Sequence, residues 1–126
     1  MTTLLSCEPQ LFATDLPASL AFFTERLGFT EVFRHGDPVH YAQVGRDGAR
    51  INLRAVDAMP FGEAFRAAVP DALSAIITVT DVAALFAEFQ IRGVPFHQVL
   101  RTEPWGARTF IVRDPDGSLI LFAGGG

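Results

Sequence analysis

Three histidines have the widest chemical range in this sequence, because imidazole can bind a metal or move a proton near neutral pH. They are His35, His40 and His97. One hypothesis joins His40 and His97 with Glu8 in a metal site of unusual arrangement. The alternative treats them as three separate strand or turn histidines. We favour it because none has a partner at a ligand spacing such as H-x-x-x-H.

Four polar residues at alternating positions in two predicted strands form a second candidate site. They are Glu8, Gln10, Asn52 and Arg54. The apolar residues between them are expected to face the helices, so the alternation places the four polar side chains on the opposite side of the sheet. That side is expected to line a concave cleft, where several hydrogen-bonding groups suit a small organic ligand. The alternative is that this face is merely hydrated.

Aromatic and basic residues of other strands extend the candidate site. Phe33 and Phe110, together with Phe12, are candidates for an apolar wall, although phenylalanine in a strand usually belongs to the core. Arg108 either anchors a ligand or pairs with a carboxylate inside the protein, and we slightly favour the internal pair. The carboxylates available for that pair are Glu103, Asp114 and Asp116. No catalytic residue is predicted from these side chains.

Composition limits the domain count and the partners. The chain has 126 residues, of which 49% are hydrophobic and 19% charged. This length suits one domain that buries about two-thirds of its unfolded surface. The apolar excess, with 12 phenylalanines, predicts a homodimer interface or an apolar pocket. A net charge of -4 argues against nucleic-acid binding, which needs a basic face.

Cysteine content and the N-terminal residues predict a cytoplasmic location. Cys7 is the single cysteine, so no disulfide can form within the chain, which suits a reducing compartment. It has no adjacent base or cation, so a nucleophilic role is not expected. The first residues, MTTLLSCEPQ, lack the basic and long apolar regions of a signal peptide. No window approaches the ~18–20 apolar residues of a membrane span, so no membrane partner is predicted.

The elements that must position these residues occur twice. The segments Pro9–Phe29 and Ala75–Phe96 each read as a strand, a capped helix and a glycine stop. The cap is Asp15 or Thr14 in the first segment and Asp81 in the second. Each is followed by strands joined by turns, of which Asp114–Gly117 has the composition of a type I turn. We therefore predict a single domain over 1–126, with module 1 at about 6–54 and module 2 at about 73–124. The linker, 55–72, is predicted to hold a short helix around 63–68.

The chain resembles the vicinal oxygen chelate superfamily in two segments, TDLPASLAFFTERLGF and WGARTFIVRDPDGSLILF. Glyoxalase I, extradiol dioxygenases and bleomycin-resistance proteins are members. The resemblance implies an α+β fold in which two βαβββ modules form a curled mixed sheet around a cleft, usually completed in a dimer. This is the glyoxalase/bleomycin resistance/dihydroxybiphenyl dioxygenase fold. It also implies that Trp105 edges the cleft and stacks on a flat ligand, although Trp105 could instead pack on the dimer seam.

The resemblance also specifies where the enzymes of the superfamily hold a divalent metal. The matching positions here are Glu8, Ser74, Asn52 and Leu121. One carboxylate, one hydroxyl, one amide and one leucine make a poor metal site, because such sites want about three or more strong donors. The sequence therefore resembles the metal-free, ligand-binding branch, of which bleomycin-resistance proteins are the type.

We accordingly predict a metal-independent protein, without cofactor, that sequesters a small organic ligand in a dimer cleft. One alternative is a metal-dependent lyase, isomerase or dioxygenase with non-standard ligands. Another is a dimeric scaffold without a small ligand. Bleomycin itself is a doubtful guest, because Arg50, Arg54 and Arg108 are expected near the cleft.

Overall fold

The computed structural model describes residues 1–125 and contains two copies of one strand–helix–three-strand module. The first copy comprises β1 (Gln10–Ala13), α1 (Leu16–Ala21), β2 (Thr30–His35), β3 (Tyr41–Arg46) and β4 (Ala49–Ala55). A short helix, α2 (Glu63–Ala68), follows, at the position predicted inside the linker. The second copy comprises β5 (Ala75–Val79), α3 (Val82–Ile91), β6 (Phe96–Thr102), β7 (Arg108–Arg113) and β8 (Leu119–Gly124).

Each module builds its own four-stranded sheet, and the two sheets have the same topology. The strand orders are β1-β4-β3-β2 and β5-β8-β7-β6. The first strand of each module runs parallel to the last, and the remaining pairs are antiparallel. Both sheets are therefore mixed, and the predicted α+β fold of two βαβββ modules is confirmed.

Both module helices begin at the predicted aspartates. The carboxylate of Asp15 accepts a hydrogen bond from the backbone N–H of Ala18 at 3.1 Å. The carboxylate of Asp81 accepts one from Ala84 at 3.0 Å. Each cap satisfies an N–H group that has no partner within the first turn of the helix.

The helices differ in their last turns. α1 continues into a π-helical turn at Phe22–Arg26, which the sequence pattern did not predict. The apolar stripe nevertheless stays buried, and its residues Leu16, Leu20, Phe23 and Leu27 are each at most 9% exposed. Both helical segments are followed by a glycine with positive φ, +73° at Gly28 and +71° at Gly93.

The core lies between the helices and one side of each sheet. In the first module the core contains every second residue of the strands, such as Ile51 and Leu53 of β4, which are 1% and 0% exposed. In the second module three rings pack together. The ring centroids of Phe89 and Phe122 are 5.4 Å apart, and those of Phe110 and Phe122 are 5.1 Å apart. No helix within residues 1–125 is long and apolar enough to span a membrane.

Arginines connect the two modules. Arg26 donates to the carbonyl of Arg92 at 2.6 Å, and Arg92 donates to the carbonyl of Glu25 at 3.2 Å, so the two helix ends hold each other reciprocally. Arg46 of β3 donates to both carboxylate oxygens of Glu88 on α3, at 2.7 and 2.9 Å. Such two-point pairs fix orientation as well as distance.

The linker is tied to the second sheet by Arg66 of α2. Its guanidinium donates to the carbonyls of Asp116 at 2.7 Å and Gly117 at 3.1 Å, in the β7–β8 turn. The same cation lies 5.3 Å from the ring centroid of Phe61. The linker helix therefore rests on a turn of module 2.

Candidate ligand-binding site

One side of the first sheet is turned away from α1, and we call it the open face. Its side chains follow from the strand register, because residues opposite each other in neighbouring strands point to the same side. One row across the sheet contains Gln10, Asn52, Gln43 and Phe33. The next row contains Phe12, Arg54, Tyr41 and His35.

A hydrogen-bonded polar network lies on this face. The side-chain amide of Gln43 donates to Glu8 Oε1 at 2.7 Å and to Asn52 Oδ1 at 2.9 Å. Its carbonyl oxygen accepts from Arg50 Nη1 at 3.1 Å. Gln43 is 8% exposed, so the centre of the network is buried while Glu8 and Arg50 remain exposed. The network holds its polar groups in fixed positions before a ligand arrives.

Sequence reasoning did not select Gln43, although a signal for it was present. Gln43 stands between Ala42 and Val44, which are both fully buried. A polar residue between two apolar ones in a strand marks the opposite face of the sheet. The same alternation placed Glu8, Gln10, Asn52 and Arg54 with the open face.

A hollow of about 430 Å³ lies at the end of the open face, and we call it the aromatic–basic hollow. It is lined by Phe33, Arg34, His35, His40, Tyr41 and Arg54. The rings of Phe33 and Tyr41 are nearly parallel, 18° apart, with centroids separated by 6.2 Å. The imidazoles of His35 and His40 meet edge to face at 5.5 Å. The structure thus brings together three residues predicted for ligand binding: Phe33, His40 and Arg54.

The remaining predicted residues lie in the second module, where they do not form one cluster with the open face. His97 Nε2 is 2.7 Å from a carboxylate oxygen of Asp71, and its Nδ1 is 3.1 Å from a guanidinium nitrogen of Arg113. Trp105 stands in the turn between β6 and β7 and is 75% exposed. Arg108 begins β7, opposite Thr102 and Gly124.

Phe110 is wrongly placed by the sequence prediction. Its side chain is fully buried and lies among the rings that face α3, with its centroid 5.8 Å from that of Phe89. The run Thr109–Val112 is entirely buried, so it carries no alternation that could reveal which residues face the helix. Phe110 therefore belongs to the core of this chain and not to the wall of a cleft.

The donors at the superfamily's metal positions do not fit a divalent ion. Gln43 places an N–H donor between Glu8 and Asn52, where a cation would have to bind. Leu121, at the fourth position, offers no donor atom. Across residues 1–125 no group of three or more histidine, cysteine, aspartate or glutamate side chains could hold a metal ion. His35 and His40 meet in the hollow, whereas His97 pairs with Asp71.

A larger cavity of about 970 Å³ lies between the modules, lined by the β3–β4 hairpin, β5 and α3. Two of its charged groups, Arg46 and Glu88, already neutralise each other, and Asp81 caps α3. The open face, in contrast, presents hydrogen-bonding groups to solvent. We therefore place the candidate site on the open face and not in the larger cavity.

The repeated module and its open sheet face define a protein of the paired βαβββ class. Residues 4–122 match the family described as the Glyoxalase/Bleomycin resistance protein/Dioxygenase superfamily. The chain belongs to this family, and the resemblance drawn from its sequence is confirmed. No protein among those with curated descriptions matches it.

Solved structures extend this relationship over the whole chain. The bleomycin-binding protein of bleomycin-producing Streptomyces verticillus, solved with copper(II)-bleomycin, is 30% identical with a TM-score of 0.77, and the match covers 100% of both chains. TioX from Micromonospora sp. ML1 is 24% identical over 97% of both chains, with a TM-score of 0.70. A bleomycin resistance determinant encoded on transposon Tn5 is 20% identical, covers 96% of this chain and 98% of that chain, and has a TM-score of 0.76. The last two support the fold alone.

Proposed function

We propose that this protein binds a small organic molecule on the open face and sequesters it without a metal and without turnover. The observation that carries the proposal is the position of Gln43, which donates to both Glu8 and Asn52. The fixed amide of Gln43 hydrogen-bonds the oxygens of Glu8 and Asn52, which a metal enzyme would need as ligands for its ion. What remains is a preorganised face with hydrogen-bonding and aromatic groups, which suits binding.

The relative from Streptomyces verticillus supports binding as the activity, because its structure contains copper(II)-bleomycin. The ligand of this chain is expected to differ in charge. Arg50 and Arg54 stand on the open face, and a cationic guest would meet both of them.

We further propose that the working unit is a homodimer of a single two-module domain. The corresponding face of the second sheet carries an apolar row of Ile76, Leu121 and Ile111 across β5, β8 and β7, which ends at Gln98 of β6. Ile76 is 65% exposed in the single chain. The polar face of one chain and this apolar row of its partner would enclose an amphipathic ligand and withdraw Ile76 from water.

The test combines metal content with ligand recovery. Protein purified without chelator or histidine tag is expected to contain far less than one divalent ion per chain by mass spectrometry. A thermal-shift screen of natural products and antibiotics, with copper(II)-bleomycin included, should then find a ligand that is recovered chemically unchanged after prolonged incubation. One tightly held ion per chain, or conversion of the ligand, would contradict sequestration.

Variants connect binding to the open face. Gln43→Met should weaken binding of the ligand found in the screen by about tenfold, because Glu8 and Asn52 both lose a hydrogen-bond donor. Gln90→Met, an exposed position on α3, is the matched control and should bind normally. Equal loss in both variants would remove the open face from the proposal.

A further inference from the structure

Within residues 1–125, one guanidinium in the candidate site has no partner. All ten basic side chains are arginine. Arg34, which also lines the hollow, forms a two-point pair with Glu31 at 2.6 and 3.0 Å. Within residues 1–125, Arg54 makes no hydrogen bond, ion pair or cation–π contact, whereas each of the other nine arginines is engaged by another group.

The surroundings of Arg54 are aromatic. Its register partners on either side are Phe12 and Tyr41. Tyr41 lies nearly parallel to Phe33, and the exposed fractions of Phe33 and Phe12 are 43% and 37%. Flat, partly exposed rings of this kind offer a stacking surface for another ring. Among residues 1–125, no acidic side chain lines the aromatic–basic hollow.

We infer that the aromatic–basic hollow binds a flat aromatic ring carrying a carboxylate, with the carboxylate on Arg54 and the ring against Phe33 and Tyr41. A planar guanidinium matches a carboxylate through two parallel hydrogen bonds. The imidazoles of His35 and His40 add N–H donors at the same end of the hollow. This inference rests on the proposed function and specifies the chemical class of ligand that the open face selects.

The experiment compares naphthoate with two probes, each of which lacks one of its properties. Naphthoate is flat, aromatic and anionic, naphthamide is flat, aromatic and neutral, and decalin carboxylate is anionic but saturated. Binding to the purified full chain is followed by titration of its backbone amide signals in two-dimensional NMR. We expect naphthoate to shift signals of β2, β3 and β4 and to bind at least about tenfold more tightly than either other probe.

Two arginine variants then test the assignment. Arg54→Gln should lower naphthoate affinity about tenfold or more and leave naphthamide affinity nearly unchanged. Only the carboxylate of naphthoate forms a charged hydrogen bond with Arg54, so only naphthoate loses one. Arg92→Gln removes the same charge outside the hollow, at the end of α3, where its guanidinium lies 3.3 Å from a carboxylate oxygen of Glu88. This control should change naphthoate affinity by less than about twofold.

The outcomes separate this inference from the proposed function. If naphthamide or decalin carboxylate binds as tightly as naphthoate, or if both arginine variants lose equal affinity, the assigned ligand class is wrong. In that case a ligand from the natural-product screen that depends on Gln43 would still support sequestration on the open face. If the only signals that naphthoate shifts lie outside the first sheet, the hollow is not the site.

Discussion

Asp114 shows how strongly a single buried group can be perturbed in this fold. Its side chain is 3% exposed, and Oδ1 accepts hydrogen bonds from the backbone N–H groups of Asp116 at 3.0 Å and Ser118 at 2.7 Å. Oδ2 is buried and has no hydrogen-bond partner within residues 1–125. Burial raises the pKa of Asp114 to about 6, and the Asp116 carboxylate adds to the rise, while the backbone bonds and Arg66 oppose it. The sequence had indicated turn chemistry for this residue, and the structure confirms the turn.

Removing this titration should change the pH dependence of folding. The pKa of Asp114 is raised from 3.8 to about 6, so the folded state retains a proton that the unfolded state releases. The stability contributed by Asp114 is therefore fully present below pH ~3.8 and is lost as the pH rises through ~6. Asp114→Asn keeps an acceptor oxygen and removes the charge. Its free energy of unfolding, measured with urea, should gain about 3 kcal/mol relative to wild type between pH 3.5 and 7.5.

The exposed Asp57→Asn variant provides the control for this measurement. Its free energy of unfolding should remain parallel to wild type across the same range. A constant difference between Asp114→Asn and wild type would mean that Asp114 does not titrate in this window.

Among the secondary-structure elements, the two helix ends form a direct contact between the modules. Arg46 hydrogen-bonds Glu88 across this junction and holds the pKa of that carboxyl below its usual range, against the opposing effect of burial. Arg26 reaches past Gly93 to the carbonyl of Arg92. Gly93 is required here by its φ of +71°, and its missing side chain leaves the space that the guanidinium occupies.

Gly93→Ala should therefore destabilise the protein. The added Cβ would lie 2.8 Å from Arg26 Nη1, in a left-handed conformation that costs L-residues about 1–2 kcal/mol. Urea unfolding should show a loss of at least about 1–2 kcal/mol. The control, Gly48→Ala in the β3–β4 turn, has no positive φ and no atom of residues 1–125 within 4 Å of its added Cβ, so it should change stability by less than about 0.5 kcal/mol. Equal losses in both variants would refute this description of the junction.

For the whole molecule, the two sheets present chemically different open faces. The first is polar and aromatic, through residues such as Asn52, Gln43 and Tyr41. The second has the apolar row of Ile76, Leu121 and Ile111. Ile76, 65% exposed, is the accessible end of this row, and its removal from water is the physical basis for the proposed homodimer.

Sedimentation should reveal a particle of twice the chain mass at micromolar concentration. Ile76→Asp should raise the dimer dissociation constant at least about tenfold, because a charge replaces apolar surface that the dimer withdraws from water. Ile91→Asp is the control, since Ile91 is 88% exposed at the end of α3. It should leave the dissociation constant within about threefold of wild type. A monomer at all concentrations would contradict the dimer and leave ligand binding to the single-chain face.

The sequence by itself determined the features that depend on nearby residues. The caps at Asp15 and Asp81 were predictable because a free N–H group in the first helical turn needs an acceptor a few residues away. The open-face positions of Gln10, Asn52 and Arg54 followed from alternation, since one side of β1 and β4 is apolar and the other polar.

Only the tertiary structure decided the features that depend on which strands and loops meet. Gln43 became the centre of the network because the sheet register sets it beside Asn52, and the chain leading into β1 brings Glu8 to it. Phe110 became a core residue because pairing with β8 turns it toward α3, a choice that an unbroken apolar run cannot specify. His97 contacts Asp71, which lies 26 positions earlier in the chain. Register and loop placement are set by the packing of distant segments, so local patterns do not contain them.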